Sequence, residues 1–395
     1  MEQKIIINYD PKQTRVALLE DGKVVEIYFE RPLHQGLVGN IYKGVVENVL
    51  PGMQAAFVNI GEERNAFYYV DEVPQPGGEE AKEGKLPIQR LLRVKDEVLV
   101  QVMKESFGSK GARLTGQITL PGRYLVLMPG LNYVGVSRRI VSQEERERLK
   151  KEMENLHPPN MGVIVRTAAE GADTNSLKND LQNLLHIWQK INNLFPKVKA
   201  PALLYRDPAL IYRIVRDLFN DHVIQLIIDN EEQYNKIMEH LDCFSPHLKE
   251  RMVYYDKRQP IFEHFAIEEE IERSLNRMVW LKCGGYLVFD ETEALTAIDV
   301  NTGKYTGKSN LEETILKTNL EAVEEIARQI RLRDIGGIII IDFIDMHLPE
   351  NRQLVLEKLK QEMNKDRTKS HVLGITSLGL VEVSRKKVKQ GLSAV

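Results

Sequence analysis

Two strings, AIDVN at 297–301 and IIIIDFID at 338–345, decide the fold of the C-terminal part of this chain. Each string runs an apolar strand directly into an acidic residue, Asp299 in the first and Asp342 in the second. The segment between them, about 311–333, has the apolar spacing of a helix. A strand, a crossover helix and a parallel strand bring two strand ends side by side. The pattern therefore predicts both carboxylates at one edge of a sheet.

The paired acids form a candidate metal site. Carboxylate oxygens at neighbouring strand ends suit a hard divalent cation such as Mg²⁺. Asn301 points to the same side of its strand as Asp299 and adds an oxygen or an amide donor, and Asp345 follows Asp342 by about one turn. Each aspartate alone could instead cap a turn or helix. We predict Asp299, Asn301 and Asp342 as catalytic residues, with Asp299 and Asp342 as the metal ligands.

Composition bounds the class of protein. The 395 residues are 43% hydrophobic and 28% charged, which is typical of a globular protein with roughly two to four domains. A net charge of −3 argues against a uniformly nucleic-acid-binding surface but allows local basic patches. The sequence has no apolar run of ~20 residues, no secretory signal and no C-x-x-C pair among its two cysteines. We expect a cytoplasmic protein without a transmembrane segment.

Residues 36–117 contain about five short strand patterns, interrupted by a polar loop at 74–87, and predict a small barrel of the OB type. Phe57 and Phe67 lie on these strands, and Lys110 lies in the string GSKGAR. OB folds stack unpaired bases on strand aromatics while cations follow the phosphate backbone. The alternative, that both phenylalanines belong to the barrel core, is the better interpretation for an arbitrary Phe.

A third group of residues suggests a phosphate pocket. Arg166 and Thr167 end the strand pattern GVIVRT, with Gly122 and the pair Arg138-Arg139 nearby in sequence. Arginine offers a bidentate fork, threonine a hydroxyl, and glycine a backbone amide that a ligand can approach closely. A solvated arginine at a strand end has about equal weight as an interpretation.

Apolar spacing predicts the remaining elements. Helices are expected near 174–195, 207–219, 230–241, 265–280, 311–333 and 349–364. The four consecutive isoleucines at 338–341 predict a strand that is buried on both faces.

Six strings together resemble the ribonuclease E/G family of bacterial endoribonucleases. They are NIYKGVVENVLPGMQAAFVNIG, TLPGRYLVLMPG, GVIVRTA, TEALTAIDVN, ETILKTNLEAVEEIARQIRLRDIGGIIIIDFIDM and GLVEVSRKK. The resemblance runs from about residue 4 to about residue 390, nearly the whole chain.

The resemblance implies an α/β fold of several subdomains. A ribonuclease H-like scaffold without catalytic residues would comprise 1–35 and 211–274. An RNA-binding OB barrel of the ribosomal-protein type would occupy 36–117, a 5′-phosphate sensor 118–210, and a DNase I-like catalytic subdomain 275–395.

The resemblance also implies an activity. The family is expected to cut single-stranded, A/U-rich RNA internally with Mg²⁺, to favour 5′-monophosphorylated substrates, and to leave 5′-phosphate and 3′-hydroxyl ends during rRNA processing and mRNA decay. By motif position, Asp299 and Asp342 would hold Mg²⁺ and Asn301 would assist. The 5′-phosphate pocket would be lined by Gly122, Val126, Arg166 and Thr167, and RNA would be contacted by Phe57, Phe67 and Lys110.

Three departures from the family pattern matter. Lys369 stands where the family often has a second arginine for the 5′-phosphate pocket, which keeps the charge but loses the planar fork. Asn8 is not acidic, so we expect the ribonuclease H-like part to be a scaffold. The family's C-x-x-C zinc link between two chains should follow SRKK, and the sequence ends at Val395 without it. We therefore expect Zn²⁺ and a homodimer or homotetramer only in a longer form.

Two other function classes stay open at this stage. In a non-catalytic RNA-binding protein the barrel would supply the function and the aspartates would be structural caps, although such a protein would not need Asp299, Asn301 and Asp342 together. A metal-dependent DNase or phosphatase would use the same acids on a different substrate.

Overall fold

The computed structural model describes residues 2–31, 36–75, 86–106, 110–303 and 311–387. These ranges form a mixed α/β protein that divides into two compact units. The first unit comprises Met1–Phe29, Asp221–Asn235 and Arg251–Val395, and the second comprises Glu30–Asn220 and Lys236–Glu250.

The strands are β1 (Gln3–Asp10), β2 (Gln13–Glu20), β3 (Lys23–Glu30), β4 (Ile41–Leu50), β5 (Ala55–Asn59), β6 (Ala66–Tyr69), β7 (Glu97–Lys104), β8 (Arg113–Thr115), β9 (Leu120–Pro121), β10 (Leu125–Pro129), β11 (Val134–Val136), β12 (Met161–Val165), β13 (Ala202–Tyr205), β14 (Val223–Ile228), β15 (Met252–Tyr254), β16 (Met278–Trp280), β17 (Tyr286–Glu291), β18 (Leu295–Asn301), β19 (Gly337–Asp342), β20 (Ser370–Ile375) and β21 (Val381–Arg385). The helices are α1 (Ile88–Leu91), α2 (Gln143–Leu156), α3 (Thr174–Leu194), α4 (Leu210–Asp217), α5 (Glu231–Phe244), α6 (Ile261–His264), α7 (Ile267–Leu275), α8 (Leu311–Leu332) and α9 (Pro349–Met363).

The first sheet of the first unit has the order β15-β14-β1-β2-β3. The antiparallel strands β1 and β2 lie beside β14 and β15, which run parallel to β1. The Asn8 amide donates a 2.6 Å hydrogen bond to Asp229, and its oxygen accepts one of 2.8 Å from Arg15. Asn8 therefore has structural partners on both sides of its amide.

The second sheet of the first unit has the order β16-β17-β18-β19-β21-β20. Strands β18 and β19 are parallel and are joined by α8, which confirms the predicted strand–helix–strand unit. Apolar residues from one face of the sheet form a single core with the inward faces of α8 and α9. They include Val279, Leu287, Ile298, Val300, Ile326, Ile330, Ile339, Ile341, Val355 and Leu359.

The predicted burial of 338–341 on both faces is wrong. Ile339 and Ile341 are fully buried, but Ile338 is 53% exposed and Ile340 is half-buried. The helices of the unit pack on the face that carries Ile339 and Ile341. Successive side chains of a strand point to opposite faces, so Ile338 and Ile340 lie on the other face. A run of isoleucines alone does not distinguish this one-sided arrangement from a strand covered on both sides.

The predicted helix at 265–280 is also shorter than expected. Helix α7 ends at Leu275, and Asn276 has an extended backbone with φ −73° and ψ 140°. The chain then enters β16, where Val279 is buried while Met278 and Trp280 are exposed. This alternation has the period of a strand, and it moves Trp280 from a helix to a sheet edge.

The second unit contains the predicted barrel. Strands β4, β5, β6, β8 and β7 pair in that order, and β7 pairs back to β4, so five strands close into an OB-like barrel. A separate sheet of order β11-β12-β10-β9 packs against α2 and α3 through a shared core. Of the helices in the described ranges, none combines the length and the apolarity needed to cross a membrane.

Candidate functional site

The two predicted metal ligands face each other across neighbouring strands. Asp299 near the end of β18 and Asp342 at the end of β19 are direct register partners, and both are exposed. Parallel strands lie ~4.8 Å apart, so the two carboxylates rise from the same edge of the sheet. The local sequence brings this about because α8 returns the chain to the same edge in the parallel direction.

Asn301 lies beside this pair, as predicted from the strand period. Its amide nitrogen donates a 2.7 Å hydrogen bond to Oδ2 of Asp299. This bond uses the amide nitrogen of Asn301 and one carboxylate oxygen of Asp299. The amide oxygen of Asn301 and the second carboxylate oxygen of Asp299 take no part in it. The arrangement offers three oxygen-bearing side chains, those of Asp299, Asn301 and Asp342, and oxygen is the ligand atom that Mg²⁺ prefers.

The electrostatics of the pair favour a cation. Partial desolvation raises the pKa of Asp342 above its ordinary value, and the negative charges of Asp299 and Asp345 raise it further. A bound divalent cation would reverse this repulsion. Within the described residues, no cluster of three or more His, Cys, Asp and Glu side chains is placed to hold a metal. Two carboxylates fit Mg²⁺, which usually keeps several waters.

Helix α8 also positions the loop that follows Asp342. The fully buried Asn319 donates a 2.8 Å hydrogen bond to the carbonyl of Ile344 and accepts one of 3.1 Å from its N–H. Glu312 accepts hydrogen bonds from the N–H groups of His347 and Leu348. The loop that carries Asp345 is therefore bound to α8, the same helix that joins β18 to β19. No local spacing pattern signals Asn319, because its partner lies 25 residues away.

Two of the predicted phosphate-pocket residues of the second unit, Gly122 and Arg166, are in direct contact. The N–H of Arg166 donates to the carbonyl of Tyr124 at 2.7 Å, and its guanidinium donates to the carbonyl of Gly122. Val126 lies on the adjacent strand β10, half-buried. Thr167 is exposed and shares a 2.9 Å hydrogen bond with the hydroxyl of Ser137.

Lys369 belongs to the first unit, where it is exposed between α9 and β20. Its part in the phosphate pocket stays a prediction.

Two acidic side chains that the sequence analysis missed, one buried and one half-buried, contact the predicted pocket residues of the second unit or their neighbours in sequence. Asp180 accepts hydrogen bonds from the N–H groups of Arg123, Tyr124 and Leu125 at 3.2, 2.8 and 2.9 Å. A Cβ on Gly122 would lie 2.5 Å from an oxygen of Asp180, so only glycine fits there. Burial raises the pKa of Asp180, while these hydrogen bonds oppose the rise.

Asp217, at the end of α4, is the second of these acids and pairs with the arginine itself. Its Oδ1 lies 2.7 Å from Nη2 of Arg166, and Arg216 donates to Oδ2 at 2.9 Å. Burial alone would raise the pKa of Asp217, but the hydrogen bond and charge of Arg216, with the charge of Arg166, lower it below its ordinary value. Asp217 is thus ionised and orients the guanidinium.

The barrel aromatics form a row on its surface. Phe57 and Phe67 are register partners with ring centroids 6.0 Å apart, and Tyr69 stacks on Phe67 at 6.5 Å. The guanidinium of Arg113 lies 6.0 Å from the ring of Tyr69. Phe57 and Phe67 are half-buried and lie outside the barrel core, so the core interpretation does not apply to them. The string AFYYV at 66–70 places Phe67 and Tyr69 on one strand face, and this alternation is the signal that could have identified Tyr69.

Lys110 is exposed and lies just before β8, which pairs with β6. A Cβ on Gly111 would lie 2.1 Å from the carbonyl oxygen of Asn65, so glycine lets the segment press against the start of β6. The N–H of Phe67 donates to the carbonyl of Ala112 at 2.7 Å. The structure therefore places an exposed cation on the segment that pairs with Phe67.

Comparison with known proteins agrees with this geometry. The profile of the Ribonuclease E/G family matches residues 119–388, more than half of the chain. Ribonuclease G of Escherichia coli (strain K12) is 44% identical over 400 residues, which cover 100% of this chain and 82% of the relative. Ribonuclease G of Haemophilus influenzae is 44% identical over 99% of this chain and 81% of the relative. Ribonuclease E of Nostoc sp. is 42% identical over 95% of this chain and 55% of the relative. Both the profile match and the identity across the whole length establish that the chain belongs to the ribonuclease E/G family.

Proposed function

We propose that this chain is an endoribonuclease that cuts single-stranded RNA internally in RNA processing and decay. The observation that carries the proposal is the register pairing of Asp299 and Asp342 at adjoining strand ends, with Asn301 hydrogen-bonded to Asp299. Relatives named ribonuclease G and ribonuclease E, at 44% and 42% identity, support RNA as the substrate.

Asp299 and Asp342 would hold Mg²⁺ in this proposal. The ion, when bound, supplies a Lewis acid for the scissile phosphate and lowers the pKa of a water molecule. Asn301 keeps the Asp299 carboxylate in one orientation through its 2.7 Å hydrogen bond. Asn319 holds the loop after Asp342, so that Asp345 adds negative charge at a fixed place. The proposed products carry a 5′-phosphate and a 3′-hydroxyl.

The barrel and the phosphate pocket would select the substrate. The rings of Phe57 and Phe67 would stack on unpaired bases, and Lys110 would contact the phosphate backbone of the RNA. A/U-rich RNA, which pairs weakly, would be the preferred substrate. A 5′-monophosphate would bind between the guanidinium of Arg166, the hydroxyl of Thr167 and the backbone near Gly122 and Val126.

Several further features are proposed on the family relationship alone. They are the ribonuclease H-like, sensor and DNase I-like subdomains with the boundaries given above, the cytoplasmic location, the roles in rRNA processing and mRNA decay, and a zinc-linked homodimer or homotetramer in a longer form.

A cleavage assay tests the proposed function. We expect 5′-labelled single-stranded RNA to be cut at internal positions with Mg²⁺, and to stay intact when EDTA removes the metal. Single-stranded DNA of the same sequence, run in parallel, should stay intact. RNA that is bound but never cut would instead support a non-catalytic RNA-binding protein, and cleavage of DNA at a similar rate would support a metal-dependent DNase.

Replacing Arg166 should remove the preference for a 5′-monophosphate. In Arg166→Ala, kcat/KM for 5′-monophosphorylated RNA should fall by about tenfold or more, because charge-assisted hydrogen bonds contribute ~1.5–3 kcal/mol. The rate with 5′-hydroxyl RNA should hardly change. Arg148→Ala is the matched control, since Arg148 lies in ion pairs on α2 of the same unit. An equal loss on both substrates would contradict the assigned pocket.

A further inference from the structure

We propose that Trp280, backed by Tyr286, is a stacking platform for one unpaired base of the RNA next to the scissile phosphate. The proposal rests on the proposed function, because it extends the metal-bearing surface by a base-binding subsite. Its occupant is a nucleobase of the same strand that Asp299 and Asp342 would cleave.

Strand register places the two aromatics on the catalytic face of the sheet. Trp280 on β16 is the direct partner of Tyr286 on β17, and Tyr286 is the direct partner of Asn301 on β18. Directly opposed residues of antiparallel strands point to the same face, and Asn301 shares its face with Asp299. Trp280, Tyr286 and Asn301 therefore form one row across three strands. With ~4.8 Å between strands, the indole lies on the order of 10 Å from Asn301.

Burial of the intervening residues confirms this face. Val279, Leu287 and Val300, which alternate with the row, all belong to the core under the helices. Trp280, by contrast, is 55% exposed and Tyr286 is half-buried. A large exposed aromatic side chain beside a candidate active site is available to a ligand at no cost in packing.

The indole is held in place before any ligand binds. Its ring centroid lies 5.3 Å from that of Tyr286, with an interplanar angle of 59°. The backbone carbonyl of Trp280 accepts a 3.0 Å hydrogen bond from Arg273, which also pairs with Glu325 on α8. The contact with Tyr286 restricts the indole ring, and the hydrogen bond from Arg273 holds the backbone that carries it. Less conformational entropy is therefore lost when a base stacks on the ring.

The surroundings favour a base over a phosphate as the ligand. Trp280 forms one wall of an open groove whose other side chains include Arg273 and Arg277. Both arginines are already in ion pairs, Arg277 with Asp290 through contacts of 2.5 and 2.7 Å. The groove also contains Glu269 and Glu272, so it is not an anion site. The indole offers a flat apolar face, which any base can occupy.

Kinetics with base-deleted substrates test the platform. The RNAs would each lack the base of one nucleotide near the cleavage point. With wild-type protein, deletion at one of these positions should lower kcat/KM by about tenfold or more, and Trp280→Ala should lower it to a similar extent on intact RNA. In Trp280→Ala, deletion of that same base should have no further effect, while Trp280→Phe should retain most of the activity.

The chain offers a matched control. Tyr254, which is exposed on β15 in the sheet that lacks the metal acids, and Tyr234 on α5 form another aromatic pair of the first unit, with centroids 6.0 Å apart. Tyr254→Ala should leave kcat/KM and the base-deletion pattern unchanged. If Trp280→Ala cleaves RNA at the wild-type rate, or if it shows the same base-deletion pattern as the wild type, the platform proposal is wrong. The proposed endoribonuclease function would still stand.

Fluorescence gives a readout that does not depend on cleavage. Trp188 and Trp280 are the two tryptophans, so in Trp188→Phe the emission reports Trp280 alone. In a Trp188→Phe, Asp342→Ala double variant, single-stranded RNA should quench this emission saturably, and RNA lacking the critical base should not. Absence of quenching despite RNA binding would overturn the platform. Failure of wild-type protein to cut any RNA would instead overturn the proposed function.

Discussion

We expect Asp342→Ala to lower the rate of RNA cleavage by about a hundredfold or more, while the protein still folds and binds RNA. One metal carboxylate contributes a few kcal/mol of transition-state stabilisation, and each ~1.4 kcal/mol corresponds to a factor of ten. Asp342 is the residue to change because it stands opposite Asp299 in register and adjoins the loop that carries Asp345. Single-turnover cleavage with saturating Mg²⁺ measures the effect.

Repulsion among the acidic side chains also predicts how Asp342→Ala affects the stability of the metal-free protein. Burial raises the pKa of Asp342, and the charges of Asp299 and Asp345 raise it further, so removal of this carboxylate relieves repulsion in the metal-free protein. We expect the thermal midpoint of the metal-free variant to be unchanged or higher. Glu291→Gln removes an exposed carboxylate from the far end of the β17–β18 hairpin and should keep full activity. Near wild-type cleavage by Asp342→Ala would show that the metal assignment is wrong.

Asp366→Ala should lower the free energy of unfolding of the first unit by about 3 kcal/mol, the low end of the range for breaking a buried ion pair. Nε of the buried Arg385 on β21 lies 2.7 Å from Asp366, and its Nη1 lies 2.7 Å from Asp334. Without Asp366, the guanidinium stays buried with one carboxylate. The low end applies because Asp334 and the carbonyl of Ile335 still accept hydrogen bonds from Arg385.

Hydrogen exchange at the amides of β20 and β21 would measure this loss locally, which suits a chain with two compact units. Asp290→Ala is the control, because Asp290 pairs with Arg277 through similar distances but at an exposed position. Ion pairs between exposed side chains contribute little to stability, so the control should change protection little. Equal effects of the two substitutions would mean that burial of the Arg385 pair does not govern its contribution.

The features that sequence predicted well are those set by local periodicity. The pairing of Asp299 with Asp342 follows from two apolar strands, one helix between them and the rarity of any other crossover geometry. Phe57 and Phe67 lie on barrel strands, as predicted, and are direct partners there. These predictions needed no knowledge of distant contacts.

The features that sequence did not predict depend on contacts between distant residues. Asp180 accepts a hydrogen bond from the backbone beside Gly122, and Asp217 accepts one from Arg166, from 57 and 51 residues away, and no short spacing reports these contacts. The exposure of Ile338 depends on which face the helices cover, which strand composition does not encode. Trp280 followed a helical pattern of charged residues, and only its pairing with Tyr286 reveals a strand.

The six-stranded sheet has one more consequence, which concerns how this protein can change. The apolar residues that fix the unit's stability lie on the face beneath α8 and α9, whereas Trp280, Tyr286, Asn301 and the paired acids lie on the reverse. A substitution at the outward positions can alter which nucleotide is accepted without loosening the interior. Durability and substrate choice thus occupy two separate surfaces of one sheet, and an engineer could redesign either one independently.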